Sequence, residues 1–302
     1  MSLASVLGRI LFAAAALVGA LPLSWARALG SACGRGAQAF NTRETRIARR
    51  NMELIHPEWS AAQREALVGE ILRATGRNLL ETLRVWTRSR AANLRLVRQV
   101  HAGELLDEAL AQGRGLIISA PHVGNWEFLV EYLASRAPFA LVFRVPEKKF
   151  GEVFLRLARD GPNVQLVPAE ATAMRPLWKA LKDGGMVGVT PDQQPKLGSG
   201  EFAPFFGRPA LTLSLIPRLA ERSGAPVLFA WAEPVPGGFD IRFECGAREI
   251  AAADLAVATA AMNAQVEAIA KRDMKQYQWT YKRWSKRPRG SGESNPYKPD
   301  CY

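Results

Sequence analysis

Cysteine and histidine are scarce. The 302 residues include three cysteines (Cys33, Cys245, Cys301) and three histidines (His56, His101, His122). So few cysteines exclude a disulfide framework and a four-cysteine zinc site. So few histidines leave little for a histidine-rich metal centre. There is no Gly-x-Ser-x-Gly elbow, and no cysteine stands in a histidine-paired context. Covalent catalysis by a serine or cysteine nucleophile is therefore disfavoured. Gly-x-Gly-x-x-Gly is missing near a first strand, which argues against a dinucleotide site.

Acidic residues are missing from two places. Residues 27–50 hold six arginines against Glu44 alone, and residues 271–289 hold eight basic residues against Asp273 alone. Together the two segments account for the whole net charge of +12. Such clusters suit an anionic partner, which includes nucleic acid, anionic lipid headgroups and an acidic protein, or else a solvated surface. No helix-turn-helix, zinc finger or aromatic stacking motif accompanies them, so the sequence predicts no nucleic-acid partner.

What is there is enough for a folded core. Hydrophobic residues are 48% and charged residues 23% of the chain, which excludes global disorder. A single uncharged stretch of membrane-like length runs from Ile10 to Ala26, 17 residues, with Arg9 before it and Arg27 after it. It can be an uncleaved membrane anchor, a cleaved secretory signal ending at Ala28, or a buried core helix. Its length is at the lower limit of about 17–25 residues for a spanning helix, and Pro22 interrupts it. The following arginine cluster favours an anchor with the rest of the chain on the cytoplasmic side. Trp25 suits an interfacial position.

Residues 40–112 read as helical. Ser60 and Gln63 form a capping-box pattern, and Leu67, Ile71, Leu72, Leu79, Leu80, Leu83 and Trp86 recur at helical spacing. His56, before Pro57, reads as structural. From Gly113 onward, strand-like runs (116–120, 139–143, 164–167, 186–189) alternate with helical segments (125–136, 148–159, 171–182). That alternation predicts an α/β fold with a mostly parallel sheet flanked by helices. A Gly/Pro/Phe-rich loop is expected over 198–209, a helix over 211–222, and a late strand pair over 225–232 and 239–243. A long helical region is expected over 251–284. The expected organisation is a membrane anchor at 1–28, a helical region at 29–112, an α/β core at 113–287 and a polar tail at 288–302.

The chemistry-bearing segment is Ser119-Ala120-Pro121-His122-Val123-Gly124-Asn125-Trp126-Glu127, which follows a buried strand and opens a helix. In a parallel sheet such strand ends build sites. Glu127 lies five residues beyond His122, so a helical turn can bring its carboxylate back to the imidazole. A carboxylate on one ring nitrogen fixes the tautomer, and the other nitrogen can then accept a proton from a substrate hydroxyl.

His122-Val-Gly-Asn-Trp-Glu127 resembles the His-x4-Asp/Glu motif of glycerolipid acyltransferases, in the form seen in the late acyltransferases of lipid A biosynthesis. Thr190-Pro191-Asp192-Gln193-Gln194, Phe202 to Arg208, Gln276-Tyr277-Gln278-Trp279 and Arg283 to Pro288 resemble further blocks of that family, in order along nearly the whole chain. Gln194 stands where the family often has Asp, and Met274-Lys275 where it commonly has Pro-Glu. The resemblance implies a glycerolipid-acyltransferase-like fold with an N-terminal anchor. It implies acyl transfer from acyl carrier protein to a hydroxyl of a lipid A precursor, or of a related glycolipid or aminolipid. The place implied is the cytoplasmic face of the bacterial inner membrane, with no metal or other cofactor. By the same resemblance His122 is the general base and Glu127 its orienting carboxylate. Asn125, Arg144, Arg159, Asp192, Gln193 and Arg208 become candidates for binding substrate. Arg144 suits an acceptor phosphate, Arg159 is as readily a solvated helix arginine, and Asp192 as readily a turn residue. Trp126, Phe128, Leu129, Phe202, Phe205 and Phe206 are candidate walls of an acyl groove, or ordinary core.

Overall fold

The computed structural model describes residues 2–170 and 173–302. Its centre is a seven-stranded sheet, built where the apolar runs predict strands. In chain order the strands are β1 (Val97–His101), β2 (Leu116–Ser119), β3 (Phe139–Phe143), β4 (Val164–Pro168), β5 (Met186–Val189), β8 (Val227–Val235) and β9 (Gly238–Cys245). Their spatial order is β1-β9-β8-β2-β5-β3-β4, and within this sheet, as described, every pairing but the β8–β9 hairpin is parallel. The expected α/β class with a mostly parallel sheet is thus observed.

Each central strand buries both faces, as continuous apolar runs require. Leu116 and Ile118 of β2 join one core with Phe139, Leu141, Met186 and Leu228. Ile117 joins the opposite core with Ala140, Val187, Val189 and Phe229. The helices α6 (Gly103–Ala111) and α7 (Trp126–Arg136) cover the first face, with Leu94 of the short α5 (Arg90–Leu94) packed against it. The second is covered by α3 (Arg43–Ile55), α4 (Ala61–Thr87), α9 (Met174–Lys182), α10 (Leu215–Ser223) and α11 (Leu255–Arg272). The capping box expected at Ser60 and Gln63 is present at the start of α4. His56 ends α3 and stacks on Trp59 with ring centroids 3.8 Å apart, a structural role.

Several expectations are corrected. The helical stretch 40–112 contains β1, an edge strand whose Arg98 and Gln99 face solvent. An edge strand has only one side to pair, so it lacks the apolar run that marks the central strands. The segment 198–209 is not a loop. It is largely a two-stranded ribbon, β6 (Gly200–Phe205) with β7 (Arg208–Leu213), in which Pro204 faces Pro209. An isolated ribbon is all edge, so prolines fit. Its two-residue turn has positive φ at Phe206 (φ 49°) and Gly207 (φ 69°), the backbone of a hairpin turn that follows the strand twist. The final helix stops at Arg272, because the chain beyond it is taken up by pairing with the turn after β2. The expected helix at 171–182 is seen as α9; Ala171 and Thr172 lie outside the described residues.

The largest correction concerns the N-terminus. The uncharged stretch is broken into α1 (Leu3–Gly19) and α2 (Leu23–Ala39), bent by 110° at Leu21 and Pro22. Proline has no N–H to continue the first helix, and it suits the start of the second. Among the described residues no single helix is long and apolar enough to cross a membrane, so the spanning anchor is not observed. Both helices pack on the protein. Gly30 and Gly34 of α2 lie against the backbone of Gly76 and Leu72 of α4, so close that a Cβ at any of the three glycines would overlap carbonyl oxygens. Arg27, expected as a membrane flank, instead enters the interior. Its guanidinium pairs with buried Glu81 and donates to the carbonyls of Val235 and Gly238 at 2.5 and 2.8 Å.

The basic ends are also partly spoken for. Arg43, Arg46 and Arg50 of α3 donate to the carbonyls of Cys301, Asp300 and Pro296, and Arg49 pairs with Glu65. These contacts hold the C-terminal residues against α3, with Tyr297 and Cys301 buried. The segment expected as a polar tail is therefore docked at its far end.

Candidate active site

Two adjacent parallel strands deliver the site. β2 and β5 pair in register, and Ala120 N–H extends their ladder to the Val189 carbonyl at 3.0 Å. The chain leaving β2 carries His122 and the chain leaving β5 carries Asp192. The carboxylate meets the histidine twice: Oδ1 lies 2.7 Å from Nδ1, and Oδ2 accepts the His122 backbone N–H at 2.8 Å. Both side chains are buried, Asp192 at 3% and His122 at 9% exposure. A carboxylate acting on ring and backbone together fixes both the tautomer and the position of the imidazole. Nδ1 carries the proton donated to Asp192, and Nε2 is left as the basic nitrogen.

The turn bearing His122 is clamped on two sides. Gly124 has φ +61°, and any Cβ there would overlap the Ala232 carbonyl of β8. Gly124 N–H donates to Gln276 O at 3.1 Å and Asn125 N–H to Ala232 O at 2.9 Å. Val123 bridges Tyr277, and Gln278 N–H donates to the His122 carbonyl at 3.0 Å. The Gln-Tyr-Gln-Trp segment thus holds the histidine turn from the C-terminal side.

Burial works to raise the Asp192 carboxyl. The facing His122, its two hydrogen bonds and the buried guanidinium of Arg283 outweigh that and hold it below the ordinary carboxylate value. The phenol of Tyr277 is pushed well above its ordinary value, by burial first and by Asp192 second, so it stays neutral beside the carboxylate. Burial pulls Arg283 down, but arginine starts high enough to remain charged. Its guanidinium donates to Leu211 O at 2.6 Å and Thr212 Oγ1 at 2.7 Å, and lies 5.2 Å from the Phe205 ring centroid.

Glu127 does not reach His122. Its carboxylate forms a forked pair with Arg159 of α8 (Lys149–Arg159), with Oε2 accepting from Nε at 3.0 Å. Glu127 is 4% and Arg159 9% exposed at the side chain. The expectation that Glu127 turns back on the imidazole is corrected: its carboxylate is taken by Arg159, and the imidazole by Asp192. The Trp126 ring lies edge-on to His122 at 5.8 Å and takes the Arg159 guanidinium on its face at 4.7 Å. The ion pair therefore fixes the ring that lies against the histidine.

The other nominated residues divide. Gln193 reaches the dyad, its Nε2 lying 3.2 Å from His122 Nε2. Asn125 is fully buried and caps α7, accepting from Phe128 N–H at 3.0 Å, so it is not a group facing substrate. Arg144 points outward, 87% exposed at the side chain, beside Lys148 at an open groove of about 560 Å³. Arg208 sits at the β6–β7 turn near Arg287 and makes none of the contacts to His122 described above. Of the expected groove walls, Phe128, Leu129 and Phe205 are core, and Trp126, Phe202 and Phe206 are partly exposed. Among the described residues no group of three or more His, Cys, Asp or Glu side chains is placed to hold a metal ion.

Sequence reasoning assigned no role to Tyr277, Gln278 or Arg283. Their polar-aromatic cluster after a helix was the available signal. Gln194, standing where an acid is common, ties the same segment down. Its amide donates to Ser285 Oγ at 3.1 Å and its carbonyl accepts Lys286 N–H at 3.0 Å, a double role that a carboxylate lacks.

Comparison with known proteins shows the family. The family described as bacterial lipid A biosynthesis acyltransferase matches residues 4–286. The lipid A biosynthesis palmitoleoyltransferase of Escherichia coli (strain K12) is 29% identical over 272 residues, 89% of this chain and 87% of that protein. The lipid A biosynthesis lauroyltransferase of the same organism is 28% identical over 283 residues, 91% and 90% of the two chains. A lipid A biosynthesis acyltransferase of Haemophilus influenzae (strain ATCC 51907 / DSM 11121 / KW20 / Rd) is 25% identical over 250 residues, 82% and 79% of the two chains.

Proposed function

The chain belongs to the bacterial lipid A biosynthesis acyltransferase family, and on that premise we propose that it moves a fatty acyl chain from the thioester of acyl carrier protein to a hydroxyl of a lipid A precursor. The observation that carries the mechanism is the buried His122–Asp192 pair at the ends of β2 and β5. His122 Nε2 takes the proton of the acceptor hydroxyl as that oxygen attacks the thioester carbonyl carbon. The tetrahedral intermediate collapses, the C–S bond breaks, and the departing sulfur takes the proton back from the imidazolium. Asp192 stabilises the imidazolium and keeps its orientation. General base action of this kind contributes roughly 10²–10⁴-fold, and holding both substrates in line supplies much of the rest. The donor is already activated, so no step calls for a metal or redox group.

The substrates have matching surfaces. Phe12 of α1 lies 6.0 Å from Phe154, Phe154 lies 5.5 Å from Trp86, and Arg159 joins Trp86 to Trp126 beside His122. A line of partly exposed rings thus leads from α1 to the imidazole, suited to an acyl chain. Arg144 and Lys148 at their groove suit an acceptor phosphate. Leu3, Leu7, Ile10 and Leu17 form an exposed stripe on α1, with Trp25 and Leu29 exposed on α2. Such a stripe suits a helix lying in the bilayer surface rather than crossing it; in this reading that surface is the cytoplasmic face of the inner membrane.

The test is mass spectrometry of a transfer reaction with a set of acyl–acyl carrier protein donors and a tetra-acylated precursor. A mass gain of one acyl chain, lost in His122→Ala, is the expected result. Gain in the variant would overturn the mechanism. No gain with any donor would overturn the acceptor, and glycolipids and aminolipids would be tried next.

A further inference from the structure

The nitrogen that must accept the proton already has a partner. Gln193 Nε2 lies 3.2 Å from His122 Nε2, and the same amide nitrogen lies 3.2 Å from Gln278 Oε1. An amide NH2 has two hydrogens and no acceptor. One hydrogen points at Gln278 Oε1, which fixes which end of the Gln193 amide faces the site. The other points at the ring nitrogen, which must then be the unprotonated one. This agrees with Nδ1 being the protonated nitrogen, donating to Asp192. Gln278 is in turn anchored through its backbone N–H to the His122 carbonyl. Three residues from three chain segments thus close a ring of hydrogen bonds over the base.

From this geometry we propose that Gln193 is an amide latch on the general base, a positioning residue that caps Nε2 until an acceptor hydroxyl displaces it. The proposal rests on His122 being the base, as argued above. The position Gln193 occupies is the one a reacting hydroxyl needs. An amide N–H does not give up its proton at neutral pH, so the cap is unreactive while it holds the neutral tautomer. Displacing it breaks one hydrogen bond. A bound acceptor has remote contacts to set against that loss, whereas a lone water has none. The latch therefore favours acyl transfer over hydrolysis of the thioester donor.

The test needs no lipid substrate. Diethyl pyrocarbonate reacts with the neutral, accessible nitrogen of histidine, and peptide mass spectrometry of the full-length protein reads His122 separately from His56 and His101. Gln193→Met removes the cap at similar size, and His122 labelling is expected to accelerate about fivefold, the worth of one net hydrogen bond. Gln193→Glu presents an acceptor only, which demands a proton on Nε2, and labelling of His122 is expected to fall below wild type. A merely structural role would move both variants the same way. Gln278→Met, at an exposed position, keeps the Gln193 side chain but removes the acceptor that orients its amide, and it is also expected to accelerate labelling. Unchanged His122 labelling in Gln193→Met and Gln278→Met, or acceleration in Gln193→Glu, would overturn the latch. In the transfer assay, Gln193→Met is expected to raise the ratio of donor hydrolysis to transfer. Opposed labelling shifts without transfer to the lipid A precursor would leave the latch standing and remove the substrate reading instead.

Discussion

Asp192 binds His122 through both its ring and its backbone, although 70 residues separate them in the chain. Pairing of β2 with β5 makes this possible, since parallel in-register strands release their following residues at the same sheet edge. Replacing Asp192 by Asn keeps the shape but lets the imidazole take the wrong tautomer. The expected loss in kcat is roughly 10²–10⁴-fold, with circular dichroism and membrane recovery unchanged. Retention of more than a tenth of wild-type kcat would show that another group orients the base.

Glu127 and Arg159 should behave as a unit. Glu127→Gln leaves a buried guanidinium without its charge partner, a cost of about 3–5 kcal/mol, and the Trp126 ring against His122 loses its support. Removing both charges, in Glu127→Gln with Arg159→Met, is expected to recover most of the lost stability. Denaturant titration of the two single variants and the double variant gives the coupling. An additive result would show that the pair contributes nothing as a pair.

The stability of the dyad should depend on pH in one direction. The folded Asp192 carboxyl lies below its ordinary value, which is about 4 in an unfolded chain. Its contribution is therefore present above that pH and is lost as pH falls through the folded value. Asp192→Asn lacks this contribution at every pH. The stability gap between wild type and Asp192→Asn is expected to narrow as pH is lowered below about 4. A gap that widens on acidification would contradict the assignment.

Gly76→Ala should loosen the N-terminal helices. Its new methyl would meet the Gly30 carbonyl of α2, a backbone atom with no freedom to move aside. Overpacking of this kind costs about 1–3 kcal/mol. Limited proteolysis is expected to cut first between α2 and α3, before the sheet opens. Proteolysis unchanged from wild type would mean that the helices separate without cost.

The α1 stripe should carry membrane affinity. Serine at Leu7, Ile10 and Leu17 removes three exposed apolar side chains. Co-sedimentation with vesicles of anionic phospholipid is expected to weaken more than tenfold, given about 1.5–3 kcal/mol for each large apolar side chain that becomes fully buried. Equal binding by wild type and the triple variant would move the membrane contact elsewhere.

The sequence by itself determined the parts governed by local pattern. Continuous apolar runs marked β2, β3 and β5 because a strand buried on both faces has no polar side to show. The Ser60–Gln63 cap was legible because its bonds span three residues. His122 was legible as a candidate because it stands in a polar turn after a buried strand. Pro22 carried the signal for the break between α1 and α2, though not the 110° angle, which the close glycine contacts with α4 set. Tertiary structure decided the partners. Glu127 is near His122 in the chain, but its helix turns it toward Arg159, and the carboxylate that reaches the imidazole arrives on a neighbouring strand. The clamp by Gln276, Tyr277 and Gln278 likewise brings together segments about 150 residues apart. Spacing along a chain limits which groups can meet locally, but strand order decides which distant groups do meet, and charge pairing follows the space that order creates.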